Sequence, residues 1–166
     1  MNWRVVLAVL TCSTVLMSAS YTMLIPFLPM YLIQELSVQT AEVNWWSSII
    51  FAVSFLISGI FAPIWGAMSD KGSRKLMALR AASCLAITYF LGSIVQTPWQ
   101  LFGVRVLQGL AAGLWPAQLA ILTSVIPHKK IGFSMGLMQA GLTAGGVLGP
   151  LVGGFLAEMF GMRSTF

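Results

Sequence analysis

The chain has few charged residues and few residues that could hold a metal. Only 8% of its 166 residues are charged, where soluble domains have about 25%. It contains four acids, one histidine and two cysteines. The histidine, His128, stands beside Lys129 and Lys130, a pattern typical of a solvated loop, so no metal-ligand set and no nucleophile–base pair can be assembled. We therefore expect no enzyme activity, no metal and no cofactor.

The two cysteines also exclude a disulfide framework. Cys12 and Cys84 each lie inside an apolar run, where cysteine behaves as a small buried hydrophobe. We expect both to remain unpaired.

Apolar residues make up 58% of the chain. About 20 helical residues cover the roughly 30 Å hydrocarbon core of a bilayer. Five apolar runs reach this length, approximately residues 5–33, 45–68, 77–95, 101–125 and 131–160. The first run resembles a cleavable signal peptide, but its hydrophobicity continues to Ile33, which favours a retained helix. The sequence predicts an all-α membrane protein with five transmembrane helices and a lipid bilayer as its surroundings.

The net charge of +5 and pI of 9.7 reflect topology rather than nucleic-acid binding. The basic residues sort by loop, and loops rich in Lys and Arg stay in the cytoplasm. A cytoplasmic N-terminus leaves only Arg163 outside. It places these basic residues inside: Arg4, Lys71, Arg74, Lys75, Arg80, Lys129 and Lys130.

The first span carries a row of hydroxyl residues. Thr11, Thr14, Ser18 and Thr22 recur at intervals of three or four and share one helix face, with Tyr21 at its edge. Two interpretations remain open: hydroxyl groups that join neighbouring helices, or the wall of a water-accessible cavity.

The fifth span carries glycines at intervals of four, which leave a ridge without side chains. The ridge consists of Gly141, Gly145, Gly149, Gly153 and Ala157, and a second row of Gly132, Gly136, Ala140 and Ala144 precedes it. Such rows let a neighbouring backbone approach closely. The ridge therefore predicts a helix–helix contact.

Prolines predict two bends. Pro26 and Pro29 should kink the first span near its outer end. Pro150 cannot donate to the carbonyl of Gly146, so the fifth span should bend there. A glycine ridge with a bend is typical of a contact along which helices tilt.

Three segments resemble one family of transporters. Residues 145–154, GGVLGPLVGG, match the pattern GxxxGPxxGG of the fifth helix in antiporters of the major facilitator superfamily. Residues 66–75, GAMSDKGSRK, resemble the loop G-x-x-x-D-[RK]-x-G-R-[RK] of that family, with Ser73 at its second glycine position. Residues 101–109, LFGVRVLQG, resemble its fourth-helix motif l-x-x-x-R-x-x-q-G. The chain thus resembles the drug:proton antiporters of the superfamily.

This resemblance implies a proton-coupled secondary transporter that exports hydrophobic drugs or other small molecules by alternating access. Members have twelve helices in two halves, so residues 1–166 would form part of the N-terminal bundle. The implied partners are a small hydrophobic substrate, protons and the C-terminal half, and the implied location is the cytoplasmic membrane. Two alternatives remain open: a transporter of a small polar metabolite, or a transport-inactive scaffold or truncated product.

Candidate site residues follow from the same motifs and from the positions of polar groups. Arg105 is a charge inside an apolar span, where an arginine costs about 3 kcal/mol at the bilayer centre, so a function is the default inference. The resemblance implies gating or proton coupling by Asp70, Arg74, Arg105 and Gln108. It implies a helix-packing hinge at Gly145, Gly149, Pro150, Gly153 and Gly154. Large rings, thioethers and amides suit a drug site, which gives as substrate-lining candidates Thr14, Ser18, Tyr21, Trp115, Met138 and Gln139.

The charge pattern predicts that the loops at residues 70–75 and 127–130 lie in the cytoplasm. Single cysteines at Ser73 and His128 should therefore resist an impermeant thiol reagent in intact cells, whereas one at Gln39 should react. The reverse labelling pattern would show the opposite orientation.

Overall fold

The structure, a computed structural model, describes residues 2–111 and 113–161, and for residues 69–71 the backbone alone. Within these residues the chain is helical, without β-strands, which confirms the all-α prediction. The helices are α1 (Trp3–Met23), α2 (Leu28–Gln34), α3 (Val43–Lys71), α4 (Arg74–Ser93), α5 (Pro98–Ala111), α6 (Leu114–Val125) and α7 (Ile131–Phe160), with a 3₁₀ turn at His128–Lys130.

Five helical stretches in the described part are long and apolar enough to cross a membrane. They are Trp3–Met23, Val43–Met68, Arg74–Ser93, Pro98–Val125 and His128–Phe160. Four of them cover the predicted spans to within a few residues. The first ends earlier than the sequence predicts.

The first apolar run, residues 5–33, forms two helices instead of one kinked helix. α1 ends at Met23, turns follow to Phe27, and α2 begins at Leu28 with Pro29 in its first turn. Pro26 and Pro29 both lack the N–H that a continuous helix would use. α2 then covers one end of the bundle, where Leu28, Tyr31 and Leu32 are fully buried.

The fourth apolar run, residues 101–125, is also interrupted, and the sequence analysis did not predict this. α5 ends at Ala111, and α6 begins after Gly113. Gly113 has φ +118°, in the left-handed region that side chains disfavour. The glycine therefore permits a break that divides the span into two helices.

Local capping groups set two of the helix starts. The Ser73 hydroxyl accepts from the Leu76 N–H at 3.5 Å, so the serine at the family's glycine position begins α4. Gly72 is extended, with φ −115°, and needs no glycine-specific conformation. At the start of α5, the Thr97 hydroxyl accepts from the Gln100 N–H at 3.2 Å.

The helices pack in two groups. One group joins α1, α6 and α7, with an apolar core that includes Leu7, Leu122 and Met138. The other joins α2, α3 and α5 around a core that includes Tyr31 and Leu101. α4 packs against both α5 and α6. The break at Gly113 thus lies where the fourth span passes from one group to the other.

We expect Gly113→Ala to lower the free energy of unfolding by about 1–2 kcal/mol, the cost of a left-handed conformation for a residue with a Cβ atom. The matched control is Gly103→Ala in α5, where an added Cβ meets nothing within 4 Å. Alanine should stabilise that helix position by about 1 kcal/mol. Chemical unfolding of both variants in detergent measures the two opposite effects, and equal effects would contradict the assignment.

Candidate functional site

The glycine ridge of α7 forms a close backbone contact with α1. A Cβ added at Gly145 would collide with the Val15 carbonyl oxygen and lie 2.8 Å from the Ser18 Cβ. One added at Gly149 would collide with the Thr22 hydroxyl and lie 2.5 Å from the Ala19 carbonyl oxygen. Real Cβ atoms do not come this close to backbone atoms, so only glycine fits at these two positions.

The contact runs along α7 from Gly141 to Gly154. Gly141 faces the Thr11 methyl group at 3.1 Å, Gly153 faces the Met23 carbonyl oxygen at 2.7 Å, and Gly154 faces the Phe27 ring at 3.3 Å, all measured from an added Cβ. The helix continues through Pro150 without a break. In the second row, by contrast, an added Cβ at Gly132 or Gly136 meets nothing within 4 Å.

Hydroxyl groups of α1 bond across the helix contacts. Ser18 donates to the Leu142 carbonyl oxygen of α7 at 2.6 Å. Thr22 lies 3.5 Å from the Gly145 carbonyl oxygen and 2.9 Å from the Ser18 carbonyl oxygen. Of the two interpretations of the hydroxyl row, these contacts support hydroxyl groups that join helices.

Gln118 fixes α6 to α1 with both ends of its amide. Its Oε1 accepts from the Thr14 hydroxyl at 3.0 Å, and its Nε2 donates to the Ser13 hydroxyl at 2.8 Å. Gln118 is 2% exposed and Thr14 is fully buried. The pair satisfies polar groups that would otherwise be costly in an apolar interior.

Arg105 and Gln108 form a buried pair on α5. Nη1 of Arg105 donates to Oε1 of Gln108 at 2.7 Å, and the two residues are 4% and 2% exposed. The guanidinium carbon lies 5.7 Å from the centre of the Phe51 ring. Ser54 of α3 donates to the Arg105 carbonyl oxygen at 3.2 Å. α3 therefore holds both the backbone and the side chain of this arginine.

A cavity of about 220 Å³ lies at the break between α5 and α6. Its lining includes Gly113, Trp115, Tyr21, Trp65 and Arg80, from α1, α3, α4 and α6. The Arg80 guanidinium lies 3.5 Å from the centre of the Trp65 ring. The volume is below the roughly 300–1,000 Å³ of a complete ligand site, so the cavity has the size of one part of a larger site.

The substrate-lining candidates fall into three places. Tyr21 and Trp115 line the cavity. Thr14 and Ser18 lie in helix contacts, and Met138 is fully buried in the core of the first helix group. Gln139 is exposed on the surface of α7. The structure therefore brings two of these six residues together at the cavity.

Trp65, Arg80 and Gly113 were not among the candidates. A tryptophan inside a span, away from the expected interfacial belt, was the available signal for Trp65. The charge pattern groups Arg80 with the basic residues of the cytoplasmic loop. Gly113 carried no signal, because an isolated glycine in an apolar span is common.

The gating candidates at the end of α3 lie apart from Arg105. Asp70 stands in the last turn of α3, and its side chain lies outside the described residues. Arg74, in the first turn of α4, donates from Nη1 to the Ala120 carbonyl oxygen of α6 at 3.2 Å. Arg74 thus links the loop at 72–73 to the second half of the fourth span.

Comparison with known proteins agrees with this architecture. The model of the Major Facilitator Superfamily matches residues 10–166. The chain belongs to the major facilitator superfamily. This membership agrees with the expectation of a transporter rather than an enzyme, and of an integral membrane protein.

Several members of the superfamily are similar to the chain along its length. Multidrug resistance protein MdtG of Proteus mirabilis is 37% identical over 99% of this chain. MdtG of Klebsiella pneumoniae is 36% identical and MdtG of Yersinia enterocolitica 37% identical over the same share. The chain covers 41%, 40% and 40% of these relatives, so it spans about two fifths of their length.

We expect Gly145→Leu and Gly149→Leu, in the complete transporter, to reduce transport more than membrane insertion. A leucine at either position would push α1 away from α7. The matched control is Gly136→Leu on the same helix, where an added Cβ meets open space. Efflux assays normalised to the amount of protein in the membrane measure the difference, and near-normal efflux by both ridge variants would contradict a role for the contact.

Proposed function

We propose that the chain forms part of the N-terminal half of a proton-coupled transporter that exports small hydrophobic compounds. The observation that carries this proposal is the similarity to proteins named for multidrug resistance over 99% of the chain. The protein would lie in a bacterial-type inner membrane with its N-terminus on the cytoplasmic side. The C-terminal half would complete the substrate cavity.

The cavity supports a site for varied apolar compounds. Trp65, Trp115 and Tyr21 supply rings, and Met17 and Met77 supply flexible thioethers on the same lining. Thioethers adapt to ligands of different shape, and rings offer large apolar faces. A cavity of this kind selects hydrophobic compounds by size and surface rather than by a fixed pattern of hydrogen bonds.

The α1–α7 contact supports a helix-packing hinge. Because no side chains stand between the two backbones at the glycine ridge, α7 would tilt along α1. The Gln118 amide attaches α6 to α1. Gly145, Gly149, Pro150, Gly153 and Gly154 would then transmit the tilt that exposes the cavity to one side of the membrane and then the other.

Asp70 is the proposed proton-coupling group. It stands near the C-terminus of α3, the negative end of the helix dipole, where an acid is disfavoured unless a cation or another helix N-terminus compensates it. Through this acid and Arg74, the loop would latch the two halves of the transporter in one state. Protonation of Asp70 would release the latch and couple proton movement to the conformational change.

We expect Asp70→Asn in the complete transporter to abolish or uncouple export, because an amide cannot gain or lose the proton. Asp70→Glu should keep part of the activity. Proton-driven dye efflux from inverted vesicles measures both.

The matched control is Glu42→Gln, since Glu42 stands at the N-cap position of α3, at the opposite end of the same helix, and its side chain makes no capping hydrogen bond. This variant should export normally. Export by Asp70→Asn that is unimpaired and still depends on the pH gradient would overturn the coupling role.

A further inference from the structure

Four buried donor atoms without partners lie on or near one arginine. Nε and Nη2 of Arg105, Nε2 of Gln108 and Oη of Tyr89 make no hydrogen bond in the described part of the chain. The Tyr89 hydroxyl and the Gln108 amide lie close enough to interact with each other, although their contact does not have the geometry of a full hydrogen bond. Buried polar groups are normally hydrogen-bonded, so a cluster of four such donors requires an explanation.

All four atoms offer hydrogens. A guanidinium has five N–H donors and no acceptor. Because Gln108 turns its oxygen toward Nη1 of Arg105, its remaining amide atom is the NH₂ donor. A tyrosine hydroxyl can also donate. The missing partner is therefore an acceptor, and a charged one would suit the cation best.

The two free guanidinium nitrogens lie on one edge of the group. Nε–H and Nη2–H point in parallel, which is the arrangement that binds both oxygens of a carboxylate. Nη1, on the other edge, already donates to Oε1 of Gln108. The geometry thus fits a carboxylate better than a spherical ion, which could not use both donors equally.

The described residues supply no carboxylate for this place. Around the guanidinium, the groups in electrostatic range are the hydroxyls of Tyr89 and Tyr21. The four acids stand at helix ends, at Glu35, Glu42, Asp70 and Glu158. Removing an ion from water costs several kcal/mol unless it is paired. Arg105 is 4% exposed, so its guanidinium needs an anion from elsewhere.

We propose that Arg105, Gln108 and Tyr89 bind the carboxylate of an organic molecule whose apolar body occupies the cavity. Tyr21 connects the two places, since it lines the cavity and lies in electrostatic range of the guanidinium. The ligand class is an organic acid with an apolar body. This inference deepens the proposed export function, and binding tests it separately from transport.

The first test uses benzoate as the probe and neutral benzamide as its matched control. The melting temperature of the purified complete transporter should rise saturably with benzoate and stay constant with benzamide, because a ligand stabilises the state that binds it. Arg105→Lys keeps the charge but loses the paired donors, so its affinity for benzoate should fall at least tenfold. Arg4→Gln, which removes an arginine stacked on Trp3 at the N-terminus, should leave that affinity unchanged.

The second test builds the carboxylate into the chain. Gln108→Glu places an acid where Oε1 already accepts from Arg105. This variant should melt at a higher temperature than the parent and lose its response to benzoate. Gln118→Glu is the matched control: it is equally buried, but its neighbours are the hydroxyls of Ser13 and Thr14. That variant should melt at a lower temperature.

An absent benzoate response combined with a lower melting temperature for Gln108→Glu would overturn the proposal. It would show that an acid of the second half already fills the place, or that no anion is needed. Saturable benzoate binding by a protein that exports nothing would leave the carboxylate site intact and refute the export function. Export without any effect of benzoate or of Arg105→Lys on binding would refute the carboxylate site alone.

Discussion

The close approach of α1 and α7 is the contact on which the rest of this bundle depends. At Gly145 and Gly149 the α1 backbone occupies the space that a side chain would take. Association of helices in lipid lacks a hydrophobic driving force, so van der Waals contact and hydrogen bonds such as Ser18 to Leu142 must supply it. Glycines are tolerated in the membrane helix because the contact they permit offsets their weak helix propensity.

The break in the fourth span separates the two tightly packed helix groups. α5 packs with α3, while α6 is joined to α1 through Gln118, and Gly113 stands between them. A continuous helix in place of α5 and α6 would join the two helix groups rigidly. The cavity lies at the same junction, so any tilt between the groups would alter its width. The aromatic and thioether lining can follow such a change, because neither depends on fixed hydrogen bonds.

Arg105 shows how a membrane protein can hold a buried charge in place while part of its hydrogen-bonding capacity stays unused. α3 fixes its backbone through Ser54 and its side chain beside Phe51, and Gln108 occupies one edge of the guanidinium. The other edge stays unpaired in the described residues. Positioning of this kind removes the entropy cost of ordering a long side chain when a partner arrives. The same arginine therefore suits both substrate binding and the gating role that the family resemblance implies.

The sequence determined the class of this protein by itself. Runs of about 20 apolar residues have few stable arrangements other than membrane helices, and motif spacing identified the superfamily. The spacing of the glycines also placed the helix contact on the correct face of α7, because a period of four is a local property of the helix. By contrast, the partner of that face, the bonds of Gln118 and the break at Gly113 depend on which residues from distant segments meet. Thr14 and Met138 are candidates for a drug site by residue type; packing places them between helices, whereas Trp65 and Arg80 line the cavity. Only the tertiary structure could decide this. Neighbouring helices determine which residues of a span face lipid and which are buried, and the sequence of one apolar span does not contain that information.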